Sequence, residues 1–237
     1  MGVKAVLFDF GGTLMEYRRE EVMRALLKEQ GIESTSSEVL GAYETVEPAW
    51  NRLFSELTDS KRFTDALLRN LDRMIIKHLG VEGDLDQLAG YVQENWDRMD
   101  RQLPKTLVRK PYQDAAPCLE ALAGMGLQMG IVSNIQSEER LRQELQNIDL
   151  LHFFPVLVAS GSVGIDKPSR GIFELAANQV GVEPGRTMFV GDDLERDYYG
   201  SRAAGMNPVL IDRSRKYKLH SSLNWVSSLE ELSRRIA

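Results

Sequence analysis

The chain contains little cysteine, no surplus of positive charge and no long apolar run. Its single cysteine, Cys118, cannot form an internal disulfide, and its apolar neighbours predict a buried structural thiol. The 29 Lys and Arg residues against 35 Asp and Glu leave a net charge of −6, which argues against a basic nucleic-acid-binding face. No apolar stretch approaches the ~20 residues that a membrane helix needs. We therefore expect a soluble, cytoplasmic protein without nucleic-acid or membrane partners.

The chain has two patterns of secondary structure, and the first is an alternation of strands and helices. A strand at Val3–Phe8 runs into a glycine turn, and from residue 105 onwards further strands alternate with helices. These strands are predicted at Leu127–Val132, Val156–Ala159, Thr187–Val190 and Pro208–Ile211. Such alternation predicts an α/β fold, a Rossmann-like parallel sheet with helices on both faces.

The second pattern covers residues 16–104, where apolar residues recur at helical spacing. Thr35 and Glu38 have the spacing of a capping box and predict the start of the second of four helices. Pro48 is expected to break or kink that helix, and a third amphipathic stretch begins at Phe63. The sequence thus predicts a helical bundle, 16–104, inserted into an α/β core formed by 1–15 and 105–237.

Polar residues follow the predicted strands at the ends where parallel sheets bind ligands. Asp9 follows the first strand, and Ser133 and Asn134 follow the second. Lys167 comes after the third strand, and the pair Asp192 and Asp193 comes after the fourth. A candidate nucleophile, a hydroxyl–amide pair, a lysine and an acidic pair are therefore expected at one edge of the sheet.

These segments resemble the four motifs of the haloacid dehalogenase-like superfamily, in order and across the whole core. Asp9–Leu14 (D-F-G-G-T-L) is similar to the first motif, whose common form is D-x-D-G-T-L. The other three resemblances are Ile131–Asn134, Lys167–Pro168, and Val190–Asp193 with Asp197. The insertion resembles the α-helical cap of the subclass that contains phosphoglycolate phosphatase and 2-haloacid dehalogenase.

The resemblance implies a role for each motif residue. Asp9 would attack phosphorus and form an aspartyl-phosphate, with Lys167 and Ser133 as the other catalytic candidates. Mg²⁺ would be held by Asp9, by Asp192 and by the backbone carbonyl of Gly11. Phosphoryl oxygens would be bound by Ser133, Asn134 and Lys167. Asp193 and Asp197 would tie down Lys167 or metal-bound water, although both suit the N-cap of the following helix equally well.

Gly11 departs from the family pattern, because the phosphatases carry a second Asp there that works as acid and base. Its loss typically costs about 10²–10⁴-fold in rate. We rank first a slow or specialised Mg²⁺-dependent phosphohydrolase acting on a small phosphorylated metabolite. Second is a metal-independent 2-haloacid dehalogenase, although Gly31–Trp50 lacks the arginine of the halide site. Third is a catalytically weak binding or regulatory protein on the same scaffold.

Overall fold

The computed structural model describes residues 2–55, 65–215, 217 and 221–236. The chain divides into two compact units. An α/β unit consists of Met1–Tyr17 and Arg109–Ala237, and a helical unit consists of Arg18–Val108. Among the described residues, no helix is both long enough and apolar enough to cross a bilayer.

The α/β unit is built around a six-stranded sheet in which every neighbouring pair is parallel. The strands in chain order are β1 (Ala5–Phe8), β2 (Met15–Tyr17), β3 (Arg109–Pro111), β4 (Gln128–Ser133), β5 (Val156–Ala159), β6 (Thr187–Gly191), β7 (Asn207–Ile211) and β8 (Trp225–Val226). The order in the sheet is β5-β4-β1-β6-β7-β8. The first strand therefore lies in the middle, between β4 and β6.

Helices complete both units. In chain order they are α1 (Arg19–Glu29), α2 (Ser36–Ser55), α3 (Asp65–His78), α4 (Leu85–Gln102), α5 (Lys105–Val108), α6 (Ala115–Gly124), α7 (Glu138–Asn147), α8 (Ser160–Val163), α9 (Arg170–Val180), α10 (Gly200–Ala203) and α11 (Leu229–Ile236). A turn of π-helix, Leu194–Tyr199, lies between β6 and α10.

The central strand shows why the sheet is covered on both faces. Val6 and Phe8 pack into one apolar cluster together with residues of α6, α7 and α11. Leu7 points to the opposite face and packs with Ile172 and Phe173 of α9. Alternate side chains of a strand face opposite sides, so a strand that is apolar throughout needs helices on both sides. The predicted α/β fold with a parallel sheet is confirmed.

Several short elements were not predicted. β2 and β3 form a small antiparallel ribbon, in which Met15 pairs with Pro111. β8 adds an edge strand to the sheet, and α11 follows it. Cys118 lies buried in the apolar cluster beside β1, and burial raises the pKa of its thiol to about 12. The prediction of a buried thiol is therefore confirmed.

The helical unit has its own apolar core, contributed by α1, α2, α3 and α4. The capping box predicted at the start of α2 is present. The backbone N–H of Thr35 donates to the Glu38 carboxylate at 2.7 Å, and the N–H of Glu38 donates to the Thr35 hydroxyl at 3.2 Å. The two residues thus satisfy each other's backbone groups at the point where the helix begins.

Pro48 was expected to break or kink the second helix; it does not break it, because α2 continues through it to Ser55, and the kink stays a prediction. A proline removes one backbone N–H from the helix, and α2 is held by a buried face that includes Val39, Tyr43 and Val46. Packing of this face outweighs the lost hydrogen bond. The predicted start of the third helix at Phe63 lies outside the described residues, and α3 is described from Asp65.

Candidate active site

The sequence-predicted site residues all line one cavity of about 210 Å³. The lining residues are Asp9, Gly11, Ser133, Asn134, Lys167, Asp192, Asp193, Arg196 and Asp197. Strand register explains why these residues come together, because Phe8 of β1 lies beside Ile131 of β4 and Val190 of β6. Residues just after these positions leave the sheet side by side, and the Asp9 N–H still donates to the Val190 carbonyl at 2.9 Å. The cavity lies at the carboxyl ends of the central strands, as expected for a parallel sheet.

Lys167 is the buried centre of the cavity wall, with only 5% of its surface exposed. Its Nζ donates to Asp9 Oδ1 at 2.5 Å and to Asp197 Oδ1 at 2.7 Å. Burial by itself lowers the pKa of this lysine, but the two carboxylates outweigh burial and raise the pKa above its usual range. Lys167 therefore stays charged and fixes the orientation of Asp9.

Asn134 has a structural task that the sequence did not reveal. Its side-chain oxygen accepts a hydrogen bond from the Lys167 N–H at 2.8 Å, and its side-chain nitrogen donates to the Lys167 carbonyl at 3.0 Å. Both ends of the amide therefore hold the backbone of Lys167 in place. The predicted phosphate contact of Asn134 stays a prediction, whereas its role in positioning Lys167 is visible in these bonds.

Asp197 uses both carboxylate oxygens within the protein. Oδ1 accepts from Lys167, and Oδ2 accepts from the Asp193 N–H at 3.1 Å. Burial and the nearby Asp9 raise its pKa, while Lys167 opposes this rise. A Cβ on Gly191 would collide with the Asp197 side chain, so this close approach to the end of β6 requires glycine. Of the two readings for Asp197, the geometry favours the tie to Lys167 over the N-cap.

Asp192 and the glycine turn after Asp9 pack against each other. Gly12 has φ +78°, and a Cβ there would run into the Asp192 carboxylate. The Thr13 hydroxyl lies 3.5 Å from Asp192 Oδ1. Crowding by protein and the charges of Asp9 and Asp197 raise the pKa of Asp192, although its side chain is open to the cavity, where water screens part of this effect.

The donor set suits a hard divalent cation. Oxygens of Asp9, Asp192 and Asp197 lie within 4.8 Å of one another, and their mutual repulsion calls for positive charge. Both oxygens of Asp197 already accept hydrogen bonds from the protein, whereas Asp9 keeps one oxygen without such a bond from any described residue and Asp192 is open to the cavity, so these two are the more available carboxylates. The backbone of Gly11 borders the same cavity. Oxygen-only donors of this kind match the preference of Mg²⁺, so the residues present fit this ion.

Comparison with known proteins shows which family this chain belongs to. A family model described as haloacid dehalogenase-like hydrolase matches residues 3–205. The chain belongs to this family. It is 30% identical over 220 residues to glyceraldehyde 3-phosphate phosphatase of Methanopyrus kandleri, covering 90% of this chain and 85% of that protein. The resemblance stated from the motifs is thereby confirmed.

Two solved structures share the fold. A haloacid dehalogenase-like (HAD) phosphatase from Thermococcus onnurineus superposes with a TM-score of 0.60 at 23% identity, covering 99% of this chain and 98% of that one. A 2-haloacid dehalogenase from Pseudomonas syringae gives a TM-score of 0.57 at 22% identity, covering 99% and 97%. Since the fold serves both reaction types, only the side chains of the cavity can distinguish them.

Within this family pattern, Gly11 leaves open space where the phosphatases carry their second Asp. A Cβ built on Gly11 meets no atom within 4 Å. Its φ does not fall in the left-handed region, in contrast to Gly12. The backbone therefore does not demand glycine at this position. The glycine at this position is thus not a requirement of the fold.

Ser133 and Asp193 complete the predicted set. Ser133 ends β4 and is buried at the cavity wall, and its hydroxyl makes no hydrogen bond with any described residue. Asp193 is the N-cap of the π-helical turn, because its Oδ1 accepts from the N–H groups of Glu195 and Arg196 at 3.0 and 2.7 Å. The N-cap reading of Asp193 is therefore the one that the hydrogen bonds support.

Arg196 is the cavity residue that the sequence did not reveal. Its Nε and Nη2 donate to Asp193 Oδ2 at 2.8 and 2.7 Å. Burial favours the neutral form of Asp193, but the hydrogen bonds from the Arg196 N–H and from its side chain outweigh burial and lower the pKa of Asp193. The sequence carried a signal, an Arg three residues after an N-cap Asp, but such pairs are common on solvated helix starts. Only the fold shows that this pair faces the same cavity as Asp9.

Proposed function

We propose that the protein is a Mg²⁺-dependent phosphohydrolase that acts on a small phosphorylated metabolite through an aspartyl-phosphate on Asp9. The observation that carries this proposal is the 2.5 Å contact between Asp9 and the buried Lys167, in a cavity shared with Ser133 and Asp192. The similarity to glyceraldehyde 3-phosphate phosphatase over most of both chains supports phosphoryl chemistry. The substrate itself is not assigned by this similarity.

The covalent step uses the carboxylate of Asp9. Lys167 holds Oδ1, which fixes the plane of the carboxylate and lowers the repulsion toward an incoming phosphoryl group. A carboxylate oxygen attacks phosphorus, and the new O–P bond forms as the bond to the leaving oxygen breaks and its electron pair departs with that oxygen. Water then attacks the phosphorus of the aspartyl-phosphate, which releases phosphate and restores Asp9. The Ser133 hydroxyl is available to donate to a phosphoryl oxygen.

Mg²⁺ would be held by Asp9, Asp192 and the Gly11 carbonyl. When bound, it supplies positive charge between these carboxylates and the phosphoryl group. Asp197 and Asn134 act through Lys167, the first at its ammonium group and the second at its backbone. These contacts keep the lysine in register with Asp9 without requiring either residue to contact the substrate.

The leaving group is where this protein departs from its relatives. Gly11 offers no proton donor, so the leaving oxygen departs as an anion or takes a proton from water. Aryl and acyl phosphates tolerate this, because their leaving groups are stable as anions, whereas alkyl phosphates do not. We therefore propose a slow or specialised enzyme. We propose that the helical unit is the substrate-selecting cap, because it is inserted directly after the first motif, and the composition favours a cytoplasmic location.

A phosphate-release assay with and without Mg²⁺ tests the proposal. Suitable substrates are p-nitrophenyl phosphate and acetyl phosphate, and a parallel assay measures halide release from 2-chloropropionate. We expect metal-dependent phosphate release that Asp9→Asn abolishes while leaving the fold intact. The control Asp166→Asn removes an exposed carboxylate next to Lys167 but outside the cavity lining, and should leave turnover unchanged. Metal-free halide release would favour the dehalogenase instead, and wild-type turnover by Asp9→Asn would contradict the mechanism.

A further inference from the structure

Arg196 presents unused hydrogen-bond donors to the cavity. Its Nε and Nη2 are both committed to one oxygen, Asp193 Oδ2. Its Nη1 makes no hydrogen bond with any described residue. The side chain is 53% exposed and lines the cavity, so its unpaired donors are open to solvent on the cavity rim. Asp193 thus fixes one edge of the arginine and leaves the other available.

The charges around the cavity indicate what the unpaired donors of Arg196 could bind. The lining contains four carboxylates and two cations. Lys167 is already shared between Asp9 and Asp197, so little of its hydrogen-bonding capacity is left. Burial opposes the charge of Arg196, but Asp193 above all, and then Asp197 and Asp9, outweigh burial and raise its pKa, so the guanidinium stays charged. It is therefore the lining cation, among the described residues, that has donors to spare close to the nucleophile.

We propose that Arg196 is a substrate-contacting residue whose Nη1 edge binds an oxygen of the phosphoryl group held in the cavity. This inference rests on the proposed function and adds a second cation to its phosphate site. Arginine suits the task because its planar guanidinium pairs with phosphate oxygens while its opposite edge stays bound to Asp193.

A purely structural role for Arg196 makes a different prediction. Asp193 accepts hydrogen bonds from two backbone N–H groups through Oδ1, independently of the guanidinium on Oδ2. The N-cap should therefore survive the loss of the arginine side chain. If Arg196 only stabilised this turn, its removal would change the melting temperature and not the affinity for phosphate.

The experiment measures binding of inorganic phosphate, the common product, by titration calorimetry at fixed Mg²⁺. We expect Arg196→Gln to weaken phosphate binding by about tenfold or more, and Arg196→Lys to lie between it and the wild type. The matched control Arg202→Gln removes an exposed arginine that does not line the cavity, and should leave binding unchanged. With p-nitrophenyl phosphate, Arg196→Gln should raise KM more than it lowers kcat.

The outcomes separate this inference from the proposed function. Weaker phosphate binding by Arg196→Gln supports the inference even if the wild type shows no turnover, in which case only the proposed function fails. Unchanged phosphate affinity and KM in a folded Arg196→Gln protein would overturn the inference. Phosphate release by the wild type would still support the proposed function. Absence of phosphate binding by the wild type overturns the inference as well. If Arg196→Gln does not fold, the charge-retaining Arg196→Lys is used with the same two measurements, phosphate affinity and KM. Weaker phosphate binding and a higher KM would support the inference, and unchanged values would overturn it.

Discussion

Restoring a carboxylate at Gly11 tests the chemistry of the cavity by adding what the family pattern lacks. The substitution Gly11→Asp is sterically allowed, because an added Cβ meets no atom within 4 Å and φ is not left-handed. Replacing glycine at such a position tends to stabilise the fold by about 0.4–1 kcal/mol, since the unfolded chain loses freedom. The opposing cost is one more negative charge beside Asp9 and Asp192. We therefore expect a folded variant whose melting temperature changes little in the presence of Mg²⁺.

The expected kinetic effect depends on the leaving group. A positioned general acid contributes about 10²–10⁴-fold. For an alkyl phosphate such as glycerol 3-phosphate, whose alkoxide needs a proton, Gly11→Asp should raise kcat/KM by about that range. For p-nitrophenyl phosphate the gain should be less than about tenfold, because the nitrophenolate leaves readily as an anion. The ratio of the two gains is the informative quantity, since changes in folding or metal content affect both substrates alike.

Gly11→Asn is the matched control, because it has nearly the same size and cannot donate or accept the proton. It should reproduce the steric effect of Gly11→Asp without the selective gain on the alkyl phosphate. Steady-state kinetics on both substrates, with thermal melting for each variant, complete the assay. If well-folded Gly11→Asp leaves the alkyl-to-aryl ratio unchanged, the missing carboxylate is not what limits this protein. The reading as a binding protein would then take precedence.

Three further predictions concern metal binding, pH and thiol reactivity. Asp192→Ala should weaken Mg²⁺ binding far more than Asp193→Ala, because only the former is proposed as a ligand, and calorimetry giving the reverse order would refute the assignment. Burial raises the pKa of Asp72 in the helical unit to about 7, so its stability contribution is full below pH ~4 and lost as pH rises toward 7. Asp72→Asn should therefore raise the urea midpoint at pH 8 and leave it unchanged near pH 4, and equal effects at both would contradict this reading. Cys118 should resist iodoacetamide at pH 8 in the native protein and react once urea unfolds it; rapid native labelling would show that the site is open.

The parts of the fold that were predictable are those with a local cause. Strands such as β1 and β5 are apolar throughout because both faces are buried, and this pattern is visible in the residues themselves. The ribbon of β2 and β3 has only three residues in each strand, and its pairing joins Met15 to Pro111 across the whole helical insertion. No local pattern encodes such a pairing. The effect of Pro48 was not predictable for a related reason: packing of α2 outweighs the low helix propensity of proline, so the helix is not broken there.

The same distinction between local and long-range causes applies to the site. Asp9, Lys167 and Asp192 were predictable because each follows a strand of one parallel sheet, and the carboxyl ends of such strands meet. The task of Asn134 was not predictable, because it depends on a loop backbone 33 positions away in the chain. The direction of the Arg196 side chain was equally hidden, because it depends on the π-helical turn that follows Asp193. Residue types at strand ends can be read from a sequence, whereas the partner that each side chain chooses requires the fold.

The glycine at position 11 and the arginine at position 196 affect the charge of the cavity in the same direction. A second Asp at position 11 would give the lining five carboxylates against two cations, whereas the present chain has four. A cavity with one carboxylate fewer and an arginine with free donors repels a phosphate dianion less, in the ground state and in the transition state alike. The same change removes the proton that an alkoxide leaving group requires. If the proposed function holds, binding of the phosphoryl group is favoured while protonation of the leaving group is lost, and this combination suits substrates whose leaving oxygen is already stable as an anion.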